Sequence, residues 1–263
     1  MRRVIIAFIA VANLGSGFAA PASAAPVTRS PSSSYYNWTG FYVGGIAGGA
    51  WGTADASTST TSVPGDEFGP LAIASFNSAG PQRITPDAFL GGFETGYNWQ
   101  PSNFVFGLEG DVQWLRFNGS ATAGPLPING TPGTFFTLTS NASVDWLATA
   151  RGRVGFAAGN WLFYATGGAA FTTLHGNFLF SETLTGSSEN ASVSSSRVGL
   201  TVGGGVEAYL WQHWSVKADY LHVDFGSVTA SGVDAGFFIP VQPFTHTMNL
   251  KLNIARLGLN YHF

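Results

Sequence analysis

The sequence predicts an all-β fold, an eight-stranded antiparallel up-and-down transmembrane β-barrel, and three observations carry that prediction. Short connections between aromatic residues alternate with long polar connectors along the chain. Between the connectors, apolar and polar residues alternate with the period of two that is typical of a half-buried strand. Aromatic residues recur at intervals of ten residues, which matches the height of the apolar band on outer-membrane barrels.

The connectors separate into a short class and a long class. The short ones lie between Trp99 and Phe104, Phe156 and Trp161, and Leu210 and Trp214. The long ones are rich in Ser, Thr, Asn and Gly: Thr53–Thr85, Asn118–Thr139, Leu174–Ser196 and Gly226–Thr247. Bacterial membrane barrels have short periplasmic turns and longer outer loops. We therefore expect the short turns and both mature termini on the periplasmic side, and the long connectors as solvated, mobile loops outside.

The period of two is clearest in Phe89–Trp99 and Phe104–Trp114, where apolar residues share one face and small or charged residues share the other. The remaining predicted strands are Thr39–Gly52, Trp146–Phe156, Trp161–Thr173, Val198–Leu210, Trp214–Phe225 and a last strand that ends at Phe263. Two of these, Thr39–Gly52 and Trp161–Thr173, are too rich in Gly and Ala for their faces to be assigned. In the last strand the phase slips near Ile254–Ala255, which predicts a bulge or the point where the strand leaves the bilayer.

Aromatic residues mark both ends of the predicted strands. Several strands have aromatic residues ten positions apart, a span of about 25 Å at roughly 3.3 Å per residue and about 40° of tilt. The predicted aromatic girdle comprises Phe89, Trp99, Phe104, Trp114, Trp146, Phe156, Trp161, Phe171 and Trp214. A water-soluble β-sandwich is the alternative, but it would place Trp in its core without a fixed end-to-end interval. We therefore favour the membrane barrel.

The composition excludes several other classes. Charged residues make up 10% of the 263 residues, against roughly 25% in soluble domains, while the mean hydropathy is only +0.16. Membrane-spanning helices would concentrate apolar residues in blocks, whereas these values fit alternating strands. The net charge of −3 does not attract nucleic acid, and the absence of cysteine excludes disulfides and thiolate metal sites.

The continuous apolar block at the N-terminus predicts a signal peptide over residues 1–24. Arg2 and Arg3 precede an apolar core at Val4–Leu14, and Ala22–Ala24 forms a small-residue cleavage site. Cleavage removes two of the eleven basic residues and leaves a formal charge of −5. Residues 25–37 are rich in Pro and Ser and are expected to form a disordered periplasmic tail. Residues 38–263 are expected to form one barrel domain.

Several segments resemble the small alphaproteobacterial outer-membrane β-barrel family, the OmpA-like and RopB-type surface antigens often described as porin family. They are Trp38–Gly45 (WTGFYVGG), Gly91–Trp99 (GGFETGYNW), Phe106–Asp111, Lys217–Tyr220 and Asn260–Phe263. The resemblance covers the mature chain and implies an eight-stranded barrel. It also implies insertion by the β-barrel assembly machinery, with Tyr261 and Phe263 in the assembly signal, and it implies no defined chemistry.

The charged residues of the assigned strands fall on the face away from lipid. A Lys or Arg facing lipid near the midplane would cost about 2–4 kcal/mol. The predicted lumen ion-pair network comprises Glu94, Glu109, Asp111, Arg151, Arg153, Arg197, Glu207, Lys217, Asp219 and Arg256. An eight-stranded barrel is only wide enough for side chains to fill it. Because an unpaired buried charge is strongly unfavourable, we expect these residues to pair and to close the lumen.

Other constellations point less clearly to chemistry. Glu109 and Asp111 lie two positions apart like a catalytic carboxylate pair, although arginine partners in the lumen explain them better. His175, His222 and His246 fall at outer strand ends or in loops, where barrel hydrolases and acyltransferases keep their sites. No nucleophile motif accompanies these histidines. We therefore expect no enzyme activity, no catalytic or metal site and no cofactor.

The sequence thus predicts a structural outer-membrane barrel that displays four long surface loops and serves envelope integrity and surface interaction. A narrow, non-specific porin-like diffusion channel is the alternative, and a barrel hydrolase or acyltransferase is least favoured. The expected partners are outer-membrane lipid, lipopolysaccharide and, during insertion, the β-barrel assembly machinery.

Overall fold

A computed structural model describes residues 36–65, 68–234 and 242–263. The elements within these residues are β1 Gly40–Thr60, α1 Pro70–Ala79, β2 Pro81–Ile84, β3 Asp87–Trp99, β4 Phe104–Pro127, β5 Phe135–Ala158, β6 Trp161–Glu182, β7 Ser188–Trp211, β8 Trp214–Asp234 and β9 Gln242–His262. The predicted signal peptide, residues 1–24, and positions 25–35 of the predicted tail lie outside the described residues. Tyr36, at the end of that predicted tail, is ordered instead and stacks on Tyr209 of β7.

The strands form one antiparallel sheet that closes on itself. From β3 to β9 each strand pairs with the next, and β1 pairs with β9 from Tyr42 opposite His262 to Thr60 opposite Phe244. β1 pairs with β3 over residues 40–51 and with β2 over residues 54–57. β2 and β3 therefore lie one after the other along the same edge of β1 and count as one strand of the ring. The ring then has eight strands, and the predicted eight-stranded barrel is confirmed.

The two ends of the barrel differ in how the strands are connected. Short turns at residues 100–103, 159–160 and 212–213 join β3 to β4, β5 to β6 and β7 to β8, at the positions that the sequence predicts. We name this the turn end, and Trp38 and the last residues of β9 meet there. The opposite end, where the strands run far past the aromatic girdle, is the extended end.

The extended end differs from the prediction of long, mobile loops. β4 continues to Pro127 and β5 begins at Phe135, so the predicted loop Asn118–Thr139 is mainly a hairpin of two long strands. The other three predicted loops are shortened by strands in the same way. Buried apolar residues such as Phe136 and Leu138 continue at alternate positions. The period of two therefore persists, but the faces exchange character: the inward residues become mainly apolar and most outward residues become polar.

The bulge predicted at Ile254–Ala255 is wrong. β9 pairs with β8 without a shift from Asp219 opposite Arg256 to Leu221 opposite Ile254. Ile254 faces inward and is fully buried. Because the lumen accepts an aliphatic residue here, the alternation of apolar and polar residues is broken in the sequence although the strand is regular. Register shifts occur at other places, including Trp114/Phe117, Ser143/Leu147 and Asp224/Ser227.

The outer surface between the two ends is apolar. Phe89 is 93% exposed and Leu200 is 76% exposed. None of the nine residues of the predicted girdle is buried: Phe89, Trp99, Phe104, Trp114, Trp146, Phe156, Trp161, Phe171 and Trp214. Exposed apolar surface on this scale exceeds what soluble monomers leave uncovered and matches the lipid-facing band of a barrel. Within the described residues, no helix has the length and apolar character needed to cross a membrane.

Candidate functional site

Side chains fill the lumen in layers from the turn end to the extended end. The first layer is an aromatic floor around Trp38, which is fully buried. The Trp38 ring lies edge-on to Tyr36 at 4.9 Å and to His262 at 5.7 Å, measured between ring centroids. The backbone N of Trp38 donates to Gln100 Oε1 at 2.7 Å. The residues before β1 therefore fold back and close the turn end.

A layer of acidic and basic side chains lies beyond the floor. Its members are buried carboxylates and cations: Glu94, Glu109, Asp111, Glu207, Asp219, Arg151, Arg153, Lys217 and Arg256. The alternation of side chains along each strand points all of them into the lumen. The register between neighbouring strands sets the level of each along the barrel axis. Glu109 lies opposite Arg151, and Asp219 lies opposite Arg256.

The arginines of β5 bind carboxylates of β4 and β7. Arg151 Nη2 contacts Glu109 and lies 2.7 Å from Asp111 Oδ2. Arg153 Nη1 lies 3.0 Å from Glu207 Oε2 and 3.5 Å from Glu109 Oε2. Glu109 and Asp111, which the sequence places beside the arginines of the next strand, thus contact Arg151, and Glu109 also lies near Arg153.

Two further cations extend the network across the lumen. Lys217 Nζ donates to Glu94 Oε2 at 2.5 Å and to Glu109 Oε2 at 3.0 Å. Because Lys217 is on β8 and Glu94 on β3, this pair joins strands that are not neighbours in the ring. Arg256 binds Asp219 through two hydrogen bonds of 2.7 and 3.1 Å, the bidentate geometry that makes Arg–carboxylate pairs strong.

The prediction that Arg197 belongs to this network is corrected by the structure. Arg197 Nη2 donates to the backbone carbonyls of Phe225 at 3.0 Å and Ser227 at 2.8 Å. The register shift between Asp224 and Ser227 interrupts the strand ladder at this point, so its carbonyls need another donor. Arg197 therefore supplies hydrogen bonds to backbone carbonyls at the bulge and is not part of the ion-pair network. Five carboxylates and four cations remain in the described network.

Two lumen tyrosines escaped the sequence analysis. Tyr42 Oη donates to Glu109 Oε2 at 2.5 Å, and the Arg153 guanidinium lies over the rings of Tyr42 and Tyr164 at 4.7 and 5.2 Å. Both tyrosines are on the two Gly- and Ala-rich strands whose faces could not be assigned. A Cβ at Gly205 would lie 2.7 Å from Tyr164 Oη, so glycine there makes room for this ring.

An apolar layer follows the charges. It contains Leu115, Phe117, Leu147, Leu221 and Ile254 among a larger set of buried aliphatic and aromatic residues from all around the ring. An ion in such a layer would lose its hydration without compensation.

A polar clasp crosses the lumen beyond the apolar layer. His246 Nδ1 lies 2.9 Å from Thr58 Oγ1, and His246 Nε2 lies 3.2 Å from Glu189 Oε1. The sequence analysis assigned His246 to an outer loop, but it is buried and stacked on Phe178 at 4.6 Å. The hydroxyl–imidazole–carboxylate order resembles a catalytic triad. Because Thr58 is only 4% exposed, we interpret the clasp as a tie between β1, β7 and β9.

Helix α1 covers the extended end. Its Phe76 packs edge-on against Phe136 at 4.8 Å and Phe180 at 5.0 Å. The Asn77 amide ties the helix to β1, because Oδ1 accepts from the Thr60 N at 2.8 Å and Nδ2 donates to the Thr60 O at 3.0 Å. The lumen is thus capped at this end by an apolar cluster.

Helix α1 lies inside the first predicted loop, Thr53–Thr85, where the sequence pattern predicts no helix. Pro70 occupies the first turn of the helix, a position where proline is favoured because its missing N–H would be unsatisfied anyway. That proline, followed by Leu71, Ile73 and Phe76, was the signal available in the sequence.

A closed antiparallel ring with an apolar outside and a charged, filled inside defines a membrane-spanning β-barrel. The chain belongs to the outer membrane protein β-barrel family, whose domain model matches residues 10–263. The predicted family is therefore confirmed.

The chain is also similar to individual proteins. The chain is 31% identical to the 31 kDa outer-membrane immunogenic protein of Brucella melitensis, over the full length of both chains. It is 26% identical to a 22 kDa outer membrane protein of Rhizobium leguminosarum, over 77% of this chain and 71% of that protein. The crystal structure of OprG from Pseudomonas aeruginosa is similar at a TM-score of 0.42 and 12% identity, over 86% of this chain and 97% of that chain. The protein is an outer-membrane β-barrel with surface-antigen homologues.

Proposed function

We propose that this protein is a structural barrel of the outer membrane, without catalytic activity, whose lumen is closed to ions and whose extended end is displayed at the cell surface. The layered lumen carries the proposal. The floor around Trp38, the ion-paired layer and the apolar layer each block a different part of the axis, and α1 covers the far end. A solid barrel of this kind serves as a membrane anchor for the surface that it displays.

The proposed orientation follows from the unequal ends. Barrels of this class have short periplasmic turns and longer outer segments. The three short turns and both termini of the barrel domain then lie in the periplasm, and β4–β9 project beyond the outer leaflet.

Single-channel recording in planar bilayers tests the closed lumen. We expect the wild-type protein to be electrically silent, and a variant without α1 to remain silent because the apolar and ion-paired layers are intact. Stable, large openings of the wild-type protein would contradict the proposal.

A narrow diffusion channel is the second candidate, and one observation favours it. Glu94 Oε1 and Arg153 Nη2 are buried without a protein hydrogen-bond partner, and water commonly satisfies such atoms. A chain of water through the ion-paired layer would give a small, stable conductance. Its ion selectivity would change in Glu94→Gln, whereas a silent wild type excludes this candidate.

A further inference from the structure

The outward faces of β4–β7 form a shallow groove beyond the aromatic girdle. The groove has a volume of about 620 Å³, and its outward-facing residues include Asn118, Asn141, Ser143, His175, Asn177 and Ser192. Register shifts at Trp114/Phe117 and Ser143/Leu147 bend β4 and β5 just below it. The groove is therefore a feature of the sheet itself and does not depend on a connecting loop.

The height of the groove places it outside the hydrocarbon region. Asn118 follows Trp114 by four residues on β4, a rise of about 10 Å at roughly 3.3 Å per residue and about 40° of tilt. With the orientation proposed above, a barrel surface at this height lies among the sugars of lipopolysaccharide.

The lining of the groove carries no charge, and the charged residues at its lower edge, Arg116 and Asp145, are of opposite sign. Among the outward-facing positions of residues 118–122, 137–143, 173–181 and 188–196, all of them described, none is Lys, Arg, Asp or Glu. Solvated surfaces usually carry roughly 25–35% of these residues. Phosphate or carboxylate ligands would call for Arg or Lys in the lining. The lining has neither, and Asp145 beside Arg116 at the lower edge disfavours an anion there, so a neutral ligand fits this face better.

The amides of the groove are already aligned. Asn141 Nδ2 donates to Asn177 Oδ1 at 3.4 Å, and Asn177 Nδ2 donates to Asn190 Oδ1 at 2.8 Å. An amide has two donor hydrogens and an oxygen with two lone pairs, so each Asn keeps hydrogen-bonding capacity for a ligand. Ser192 and the exposed His175 ring add further neutral donors and acceptors beside this row.

We propose that this groove binds neutral sugar units in the polysaccharide of the lipopolysaccharide that surrounds the barrel. The inference rests on the proposed outward orientation. Aligned amides and hydroxyls complement sugar hydroxyl groups, and holding the amides in one row lowers the entropy that binding would otherwise cost. The groove would thus join the barrel to the glycan layer as well as to the lipid.

Single cysteines provide the test, because the natural chain has none. Ser192→Cys reports on the groove, and Thr229→Cys is its control on the outward, exposed face of β8. Each mature variant is placed in nanodiscs of phospholipid, of lipopolysaccharide with its polysaccharide, and of lipopolysaccharide trimmed to its lipid A. The measured quantity is the ratio of the two rates of labelling by a water-soluble maleimide.

We expect the Ser192→Cys to Thr229→Cys ratio to fall about tenfold when the polysaccharide is present and to stay at its phospholipid value with lipid A. In the background Asn141→Ala/Asn177→Ala, the ratio should return to the phospholipid value. A difference in gel migration between unheated and boiled samples verifies that each variant is folded. An unchanged ratio with polysaccharide overturns the proposal, and so does a fall with lipid A alone, which would assign the groove to a headgroup.

The two proposals fail separately. An open wild-type channel would end the proposed closed lumen and leave the glycan site intact. A groove cysteine that the polysaccharide does not protect would end the glycan site, and the electrical silence of the barrel would be unaffected.

Discussion

Arg151 shows how strongly the lumen depends on single residues. Its guanidinium contacts Glu109 and Asp111 with no exposed side-chain surface on the arginine. Arg256 also lies near both carboxylates, with Nη1 3.1 Å from Asp111 Oδ2, but without Arg151 the described network would hold five carboxylates and only three cations. Loss of one partner in a buried pair leaves an uncompensated charge, which costs more than the pair itself contributes.

We therefore predict that Arg151→Ala lowers the free energy of unfolding by about 3–5 kcal/mol. Urea denaturation of the protein folded into lipid vesicles measures this change. Arg83→Ala is the matched control, because Arg83 binds Asp55 at 2.7 Å on the exposed surface, where ion pairs contribute little. Similar midpoints for the two variants would contradict a stabilising network.

Sequence patterns predicted inward residues well where their neighbours alternate clearly. Glu109 and Arg151 stand between apolar outward residues, so their face could be read directly. Tyr42 could not be placed because glycines flank it on both faces of β1. Arg197 was placed on the correct face and given the wrong partner, since a bulge on the neighbouring strand leaves no mark in the sequence of β7.

Among the elements, α1 is stabilised mainly by the packing of Phe76 and less by its intrinsic helix propensity. Phe76 is buried among Phe68, Phe136 and Phe180, while Leu71 on the same helix is 64% exposed. A ten-residue helix is marginal in isolation. Its position over the lumen therefore depends on this packing.

We predict that Phe76→Ala removes about 3–5 kcal/mol of packing free energy and frees the cap. Limited proteolysis of the folded protein should then cut between β1 and β2 much faster than in the wild type. Leu71→Ala serves as the control and should be cut at the wild-type rate. A barrel that resists cleavage in both variants would show that α1 is held by other contacts.

Glu182 organises the turn between β6 and β7. Its carboxylate accepts hydrogen bonds from the backbone N of Leu184, of Thr185 at 3.0 Å and of Ser187 at 2.8 Å. Burial alone raises the pKa of Glu182, but these hydrogen bonds outweigh burial and hold the pKa below its usual range. The folded turn therefore favours the ionised form.

A pKa lowered in the folded state stabilises the turn above the ordinary Glu pKa of about 4.3, and this stabilisation is lost as the pH falls below that value. We predict that the amides of Thr185 and Ser187 lose protection from hydrogen exchange on acidification across this range, after correction for intrinsic rates. Glu182→Gln should show weak protection that no longer depends on pH. A pH-dependent loss that persists in this variant would assign the effect to another group.

The strands extend beyond the ends that the sequence pattern predicts. Phe136 and Leu138 face inward on either side of the outward Thr137, while the outward Leu179 separates the inward Phe178 and Phe180. A strand pattern defined by apolar residues facing lipid ends at the girdle. Beyond the girdle the inward residues are mainly apolar and most outward residues are polar, the reverse of the lipid-spanning segments. The inward aromatic residues are the sequence signal for these parts of the strands.

For the whole molecule, the proposed orientation predicts which positions a membrane-impermeant reagent reaches in intact cells. Ser188→Cys lies at the extended end of β7 and Ala158→Cys at the turn end of β5, and both positions are exposed. We expect the first to be labelled in intact cells and the second only after the outer membrane is permeabilised. Labelling in the reverse order would place the extended end in the periplasm.

The floor around Trp38 also bears on how the barrel folds. Trp38 precedes β1, and its partner His262 ends β9, so the two ends of the barrel domain must meet before this contact forms. Joining them closes the longest loop in the chain, a step that is entropically costly and slow. Burial of the Trp38 indole would therefore mark the last event of refolding, when the seam between β1 and β9 shuts.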